Sequence, residues 1–408
     1  MSRIDELIQE LCPSGVEYEA IGNLIVRSEK MRWDDLDPTD KFRYIDLGTV
    51  DRVTHSISDT ETITKENAPS RAQQVVREGD VLFGTTRPML KRYCVVPADF
   101  DGQVASTGFC VLRVNPDRIL TNFLFHLLGT AEFYDYVESN ERGASYPAIP
   151  DNVVKRFRIP VPPLEVQREI VRVLDKFTQL EAELEAELEA RRAQYEHYRA
   201  GLLKFDLDQV DSVTVLDGFE TRNGYTPAKS DPTNWTNGTV PWFRMEDIRE
   251  NGRVLDSALQ TIPEKAVKGG RYFPANSLIF ATSATIGEHA LITVPFMSNQ
   301  RFTAIWPKQD YADRFDMKFL FYYGFVIDEW CRNNTTTSSF ASVDMVNFKR
   351  LQIPIPPMEE QKCVANQLDH FDALVNDISI GLPAELATRR KQYEYYRDRL
   401  LTFKEEAV

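Results

Sequence analysis

The chain has 408 residues, 42% hydrophobic and 27% charged, which excludes disordered and collagen-like classes and, at about 150 residues per domain, anticipates two or three domains. Its formal net charge is −14 with a pI near 5.0, and no segment is basic, so bulk attraction to phosphate is not what would bring it to a nucleic acid. Five cysteines without a Cys-x-x-Cys pair argue against a disulfide scaffold or zinc ribbon, and the absence of a signal-peptide core or of an uncharged apolar stretch near 18 residues leads to the expectation of a cytoplasmic protein.

Taken in chain order, residues 1–157 read as a mixed α+β domain, with strands predicted at 42–47, 75–83 and 109–114 and a helix at 121–138. Residues 158–205 read as one long helix. A second α+β domain follows at 206–351, with strands at 240–244, 277–281 and 302–306 and a helix at 315–330. Residues 352–408 form a second long helix, in which Gly381-Leu-Pro383 predicts an interruption because an internal proline breaks or kinks a helix. Strands and helices do not alternate strictly, which disfavours a Rossmann-type sheet.

An internal duplication explains this order. Phe157-Arg-Ile-Pro-Val-Pro-Pro-Leu-Glu-Val-Gln167 matches Leu351-Gln-Ile-Pro-Ile-Pro-Pro-Met-Glu-Glu-Gln361, and Arg191–Arg199 matches Arg389–Arg397. Fainter matches keep the same order upstream: Val81-Leu-Phe-Gly-Thr-Thr-Arg87 with Leu278-Ile-Phe-Ala-Thr-Ser-Ala284, and Ser145–Ile149 with Ser339–Val343. The second tail is longer by four residues, about one helical turn.

In the first tail Ile170, Leu174, Phe177, Leu184, Tyr195 and Tyr198 fall at steps of three or four or their multiples; Val364, Leu368, Phe371, Leu382, Tyr393 and Tyr396 do so in the second. Such spacing predicts a coiled-coil seam, each tail being the simplest partner for the other. Forty residues make a rod of roughly 60 Å, a spacer between two globular domains related by a pseudo-two-fold. Glu181, Glu183, Glu185, Glu187 and Glu189 then read as a solvated face.

Enzyme signatures are missing. There is no GxxxxGK[ST] loop, no Asn-Pro-Pro-aromatic motif and no HExxH, and the five histidines are scattered. Glu360-Gln-Lys362 reads as part of a helix start rather than a nuclease metal site. The loops after the matched strands are richer. In the first domain they supply Thr85, Thr86, Arg87, Lys91, Arg92, Arg142, Ser145 and Tyr146. In the second they supply Ser283, Thr285, Asn299, Gln300, Arg301, Thr336, Thr337 and Ser338, to which Arg244 is added. Hydroxyl and basic groups suit phosphates, Arg suits guanine edges, and Asn and Gln suit adenine edges.

The paired Ile-Pro-x-Pro-Pro-x-Glu-x-Gln and Arg-Arg-x-Gln-Tyr-Glu-x-Tyr-Arg segments, together with Gly381-Leu-Pro-Ala-Glu385, Gly143–Ile149 and Val240–Asp247, resemble the specificity (S) subunit of type I restriction-modification systems. The resemblance spans the whole chain. It implies two target recognition domains, each binding one half of a bipartite DNA site, and helices that pair antiparallel, set the half-site spacing and dock methyltransferase (M) subunits, with restriction (R) subunits joining. It also implies a non-catalytic subunit whose partners use S-adenosylmethionine, ATP and magnesium. The other readings the residues leave open are a coiled-coil adaptor without DNA specificity and a stand-alone DNA-modifying enzyme. The acidic balance adds an expectation that basic groups gather on one face while partners supply much of the phosphate contact.

Overall fold

The computed structural model describes residues 3–336, 341–376 and 381–406. They form two compact units: residues 1–187 with 384–408, and residues 188–383. The helix Leu164–Leu202 contributes its first part to unit 1 and its last to unit 2. The fold is α+β, and the units are built from the same parts.

The central strand in each unit, Val81–Gly84 or Ser277–Ala281, is buried at every position. It is covered on both faces, so its sequence is a continuous apolar run rather than an alternation. In unit 1 it lies between Phe109–Val114 and Tyr93–Val95, with Ile25–Val26 on the outside, all antiparallel. In unit 2 it lies between Phe302–Pro307 and His289–Ile292, flanked by Phe219–Asn223 and Val254–Leu255. Even the register is kept: Phe83 faces Tyr93, and Phe280 faces His289. A second sheet in each unit contains a parallel pair, Tyr44 and Ile45 beside Val104 and Ala105, or Trp242 and Phe243 beside Met297 and Ser298.

Three predicted elements are cut differently. The strand expected at 75–83 is two strands, Ala72–Val75 and Val81–Gly84. Between them Asp80 accepts the Arg77 N–H at 2.8 Å and Gly79 takes a φ of 82°, which makes a turn. The helix expected at 121–138 is also two, Thr121–Leu127 and Ala131–Asn140. Thr130 starts the second, its hydroxyl accepting the Phe133 N–H, the N-cap bond that threonine supplies.

In the second tail Gly381-Leu-Pro383 opens a helix rather than interrupting one. One helix runs Met358–Asn376 and the next begins at Gly381, residues 377–380 falling outside the described residues. Gly381 has φ 78°, and a Cβ there would stand 2.5 Å from the Leu374 carbonyl oxygen. Pro383 sits in the first turn of the new helix, where its missing N–H costs nothing.

The repeated motif at each helix start is a clamp. Gln167, fully buried, accepts the Leu120 N–H at 2.9 Å and donates to the carbonyls of Arg118 and Pro162. Gln361 accepts the Asp316 N–H at 2.8 Å and donates to Arg314 and Pro356. One amide thus serves three backbone groups, of which the bond to Pro162 or Pro356 is fully buried and the other two are partly so. The residues before the prolines form strands, Arg158–Pro160 pairing with Tyr18–Ala20 and Gln352–Pro354 with Ser212–Thr214.

In unit 1 the two tails pair antiparallel. Phe177 stacks on Tyr396 with centroids 5.5 Å apart, and Arg390 bonds to both Glu181 and Glu185. This corrects the solvated face: Glu183, Glu187 and Glu189 are exposed, but Glu181 and Glu185, one turn apart, hold Arg390. In unit 2, Tyr198 stacks on Phe371 at 5.7 Å. The other expected seam positions divide by environment. Ile170 and Leu174 are buried in the unit 1 core beside Phe83 and Phe123, and Val364 and Leu368 in the unit 2 core beside Phe280 and Phe319. Tyr393 and Leu382 pack at the edges of those cores, Tyr195 lies within the unit 2 core, and Leu184 is half-buried. The first turns of each tail therefore belong to the globular cores.

Candidate nucleic-acid interface

In unit 1 the loop that leaves the central strand is zipped to a hairpin about sixty residues later. Arg142 and Ala148 exchange N–H···O bonds at 2.9 Å, closing the hairpin. Gly143 turns it with φ 104°, a conformation open to glycine. Thr86 forms a bridge with Ala148, the Arg87 N–H donates to Pro147 at 2.7 Å, and Ile149 donates to Thr85. Thr86, Arg87, Arg142, Ser145 and Tyr146 thereby lie together. Arg87 rests on the Tyr146 ring at 4.5 Å, and Tyr146 is 70% exposed.

Unit 2 builds the same junction. Ser283 forms a bridge with Ser342, and Val343 donates to Thr282 at 2.9 Å. Thr335–Thr336 pairs with Ser342–Val343, the Thr336 hydroxyl reaching Ser342. Thr337 and Ser338 lie outside the described residues. A second loop adds Asn299, whose side-chain oxygen accepts the Arg301 N–H at 3.0 Å, Gln300, which accepts from Thr226, and the exposed Arg301. The Arg301 backbone joins this loop to the first, its carbonyl accepting the Thr282 N–H at 3.0 Å. Thr285 is half-buried and bonds back to Ser283.

Several expected contact residues have other tasks. Thr85 is buried and donates its hydroxyl to Gly108 at 2.8 Å, so it cannot meet a duplex. Arg92 donates to the carbonyls of Leu47 and Val50 and pins the 47–50 turn. Arg244 is half-buried over Trp242 beside Glu246. Lys91 lies over Tyr134 at 4.6 Å and lines a cleft of 620 Å³ with Arg52, Arg390 and Arg397 but also Asp175, Glu181 and Glu394. Charge of both signs makes that cleft a poor anion site.

The residues that letters alone did not single out are the supports: Gln167, Gln361, Tyr134 and Ser342. Both glutamines were visible as repeated letters in the helix-start motif, but which backbone groups they satisfy depends on tertiary structure. Behind the unit 1 loops, His126 bridges Tyr393 and Asp175 at 2.8 Å each. Burial pushes the Asp175 carboxyl up, but hydrogen bonds from His126 and Asn122 outweigh it and hold it below the usual carboxylate range.

Two units with one scaffold, each displaying polar and basic side chains from strand-end loops, define a duplicated recognition protein. The family model for the type I restriction modification DNA specificity domain matches residues 28–190 and again 208–388. The chain is 35% identical over 320 residues, covering 75% of it and 76% of the relative, to the type I restriction enzyme EcoR124I/EcoR124II specificity subunit of Escherichia coli. It is 59% identical over 207 residues to the Escherichia coli EcoprrI specificity subunit, a match spanning 49% of this chain and 52% of that one. Among solved structures, a chain from a type I R-M system studied for complex assembly and conformational transition superposes with TM-score 0.68 at 25% identity over 95% of this chain and 98% of that one. The HsdS subunit from Thermoanaerobacter tengcongensis gives TM-score 0.50 at 26% identity over 96% and 97%. The chain belongs to the type I restriction-modification specificity subunits. Its role is DNA sequence specificity, not catalysis. No described helix is long and apolar enough to cross a membrane.

Proposed function

We propose that each unit reads one half of a bipartite, asymmetric DNA site, that the helices set the half-site spacing and dock methyltransferase subunits, and that restriction subunits join the assembly. The observation that carries this reading is the loop junction built twice, Thr86 on Ala148 and Ser283 on Ser342, with different side chains displayed each time. A duplicated frame with diverged contacts is what an asymmetric site requires, because identical readers would select a repeated sequence. The chemistry is assigned to the partners, which would bring S-adenosylmethionine, ATP and magnesium.

The net charge of −14 supports shared binding. Phosphate neutralisation supplies most of the sequence-independent affinity of DNA-binding proteins, and an acidic subunit cannot supply much of it alone. The isolated chain should therefore bind duplex weakly and with little sequence preference, with specificity emerging on assembly with the methyltransferase. Mapping methylated positions for the full complex tests the division of labour. Arg301→Ala should relax one or two bases in a single half-site and leave the other half untouched. Tight, sequence-specific binding by the chain alone, or relaxation in both halves, would overturn the reading.

A further inference from the structure

The left-handed region is sparsely occupied by residues other than glycine, and its use by a bulky side chain is a signal worth pursuing. Arg87 has φ 50° and ψ 56°, directly after the Thr85-Thr86 step that leaves the central strand of unit 1. At the matching position of unit 2, Ala284 has φ 67°. Both units thus hold a non-glycine residue at positive φ after the same strand, and of the two only unit 1 places a large cation there.

That cation is displayed rather than consumed. Among the described residues, Arg92, Arg113 and Arg253 all donate to carbonyls or carboxylates. The exposed Arg87 guanidinium has a different surrounding and lies over the Tyr146 ring at 4.5 Å. Tyr146 in turn sits on the hairpin that the Arg142–Ala148 bonds close, and the Arg87 N–H is tied to Pro147 in that same hairpin. Stacking on an aromatic face leaves the five guanidinium N–H donors at the edge of the plane and limits the rotamers that must be given up on binding. A planar fork held this way matches the two acceptors, O6 and N7, that guanine shows in the major groove.

We infer that Arg87, propped on Tyr146, is the guanine reader of unit 1 and determines one base of the half-site that unit reads. The inference rests on the proposed division of the site between units. It also explains the partner position: Ala284 offers no donor, so unit 2 must specify its half through other side chains, among which Arg301 is exposed.

The test uses the full chain assembled with its methyltransferase, and a panel of duplexes in which each base pair of both half-sites is varied in turn. Arg87→Ala should lose about ten- to hundred-fold of discrimination at a single G·C position, with the other half-site unchanged. Arg87→Lys should not restore it, because an ammonium lacks the fork. Tyr146→Ala should lower discrimination several-fold at the same position. Arg87→Gly should lose specificity equally while the melting temperature stays level or rises, which separates loss of reading from loss of fold. A uniform drop over all sequences with a salt dependence reduced by about one charge would make Arg87 a phosphate contact and overturn the inference. So would relaxation at an A·T pair, or no change. Relaxation in the half that does not respond to exchange of residues 1–157 would instead overturn the assignment of halves to units.

Discussion

Gln167 in unit 1 and Gln361 in unit 2 make the same three hydrogen bonds, whereas the left-handed position after the matched strand holds Arg87 in one and Ala284 in the other. Core polar chemistry also diverges at a shared register. Opposite Phe83 the neighbouring strand has Tyr93, against which His55 packs at 4.0 Å; opposite Phe280 it has His289, paired to Asp328 at 2.6 Å. The helix-start clamps are kept, because losing one leaves backbone donors and acceptors without partners, whereas other side chains that hold backbone, Arg92 on Leu47 and Val50 and His289 on Phe321, differ between the units. Side chains that fill or face outward are free to change once the frame is secure. The duplication therefore separates scaffold from message.

Four perturbations break or sharpen this contrast. The largest effect is expected at the His289–Asp328 hydrogen bond of unit 2. Both members are buried, the His289 Nε2–H donates to the Phe321 carbonyl at 2.8 Å, and Arg253 stands 3.7 Å from Asp328. Asp328→Ala should cost about 3–5 kcal/mol, measured by chemical denaturation. A loss below 1 kcal/mol would mean that the pair is dispensable.

The His55 ring comes next. Burial lowers its pKa from 6.5 to about 4. Above pH 6.5 both folded and unfolded rings are neutral and nothing is gained or lost. As pH falls from 6.5 towards 4, the unfolded chain takes up a proton that the folded ring refuses, so stability drains by about 2–3 kcal/mol in total. His55→Leu should flatten that part of the stability–pH curve, and an unchanged acid limb would show that other groups set it.

Removing either clamp should have similar consequences in the two units. Gln167→Leu and Gln361→Leu each leave one buried carbonyl unpaired, the other two groups being near enough to solvent to find water, and should cost about 2 kcal/mol. Unequal losses, by more than a factor of about two, would show that the copies no longer do the same work. The smallest effect is expected for Tyr393→Phe, which removes only the hydroxyl at His126 Nδ1 and should cost about 1 kcal/mol without altering the methylated sequence.

Much of the fold was legible in the letters for a physical reason. Strands buried on both faces show as largely apolar runs, so composition places 277–281, which matches Ser277–Ala281; 109–114 matches Phe109–Val114 although Arg113 and Val114 at its end are only half-buried. The tails were visible through their spacing and duplication. Their mutual pairing was expected and is met at Phe177–Tyr396 and Tyr198–Phe371; its extent was not legible, since a helical stripe reports that a face is buried and not what covers it, and Ile170 and Val364 serve their own cores. The candidate site was legible only in part. Thr85 and Thr86 are the same letter in adjacent positions just past the central strand, yet Thr85 is buried with its hydroxyl on the Gly108 carbonyl and Thr86 lies half-buried on the loop. Arg87 and Arg92 differ in the same way, one stacked on an exposed tyrosine and one donating to the carbonyls of Leu47 and Val50. Which carbonyls stand nearby is a property of the assembled loops.

The most direct test of two independent readers on one frame is base-resolution methylation mapping in cells carrying a hybrid chain, with residues 1–157 exchanged for those of another specificity subunit. The account predicts that one half of the methylated motif changes to that of the donor while the other half and the spacing stay as they were. Changes in both halves, or a motif that stays whole, would contradict it.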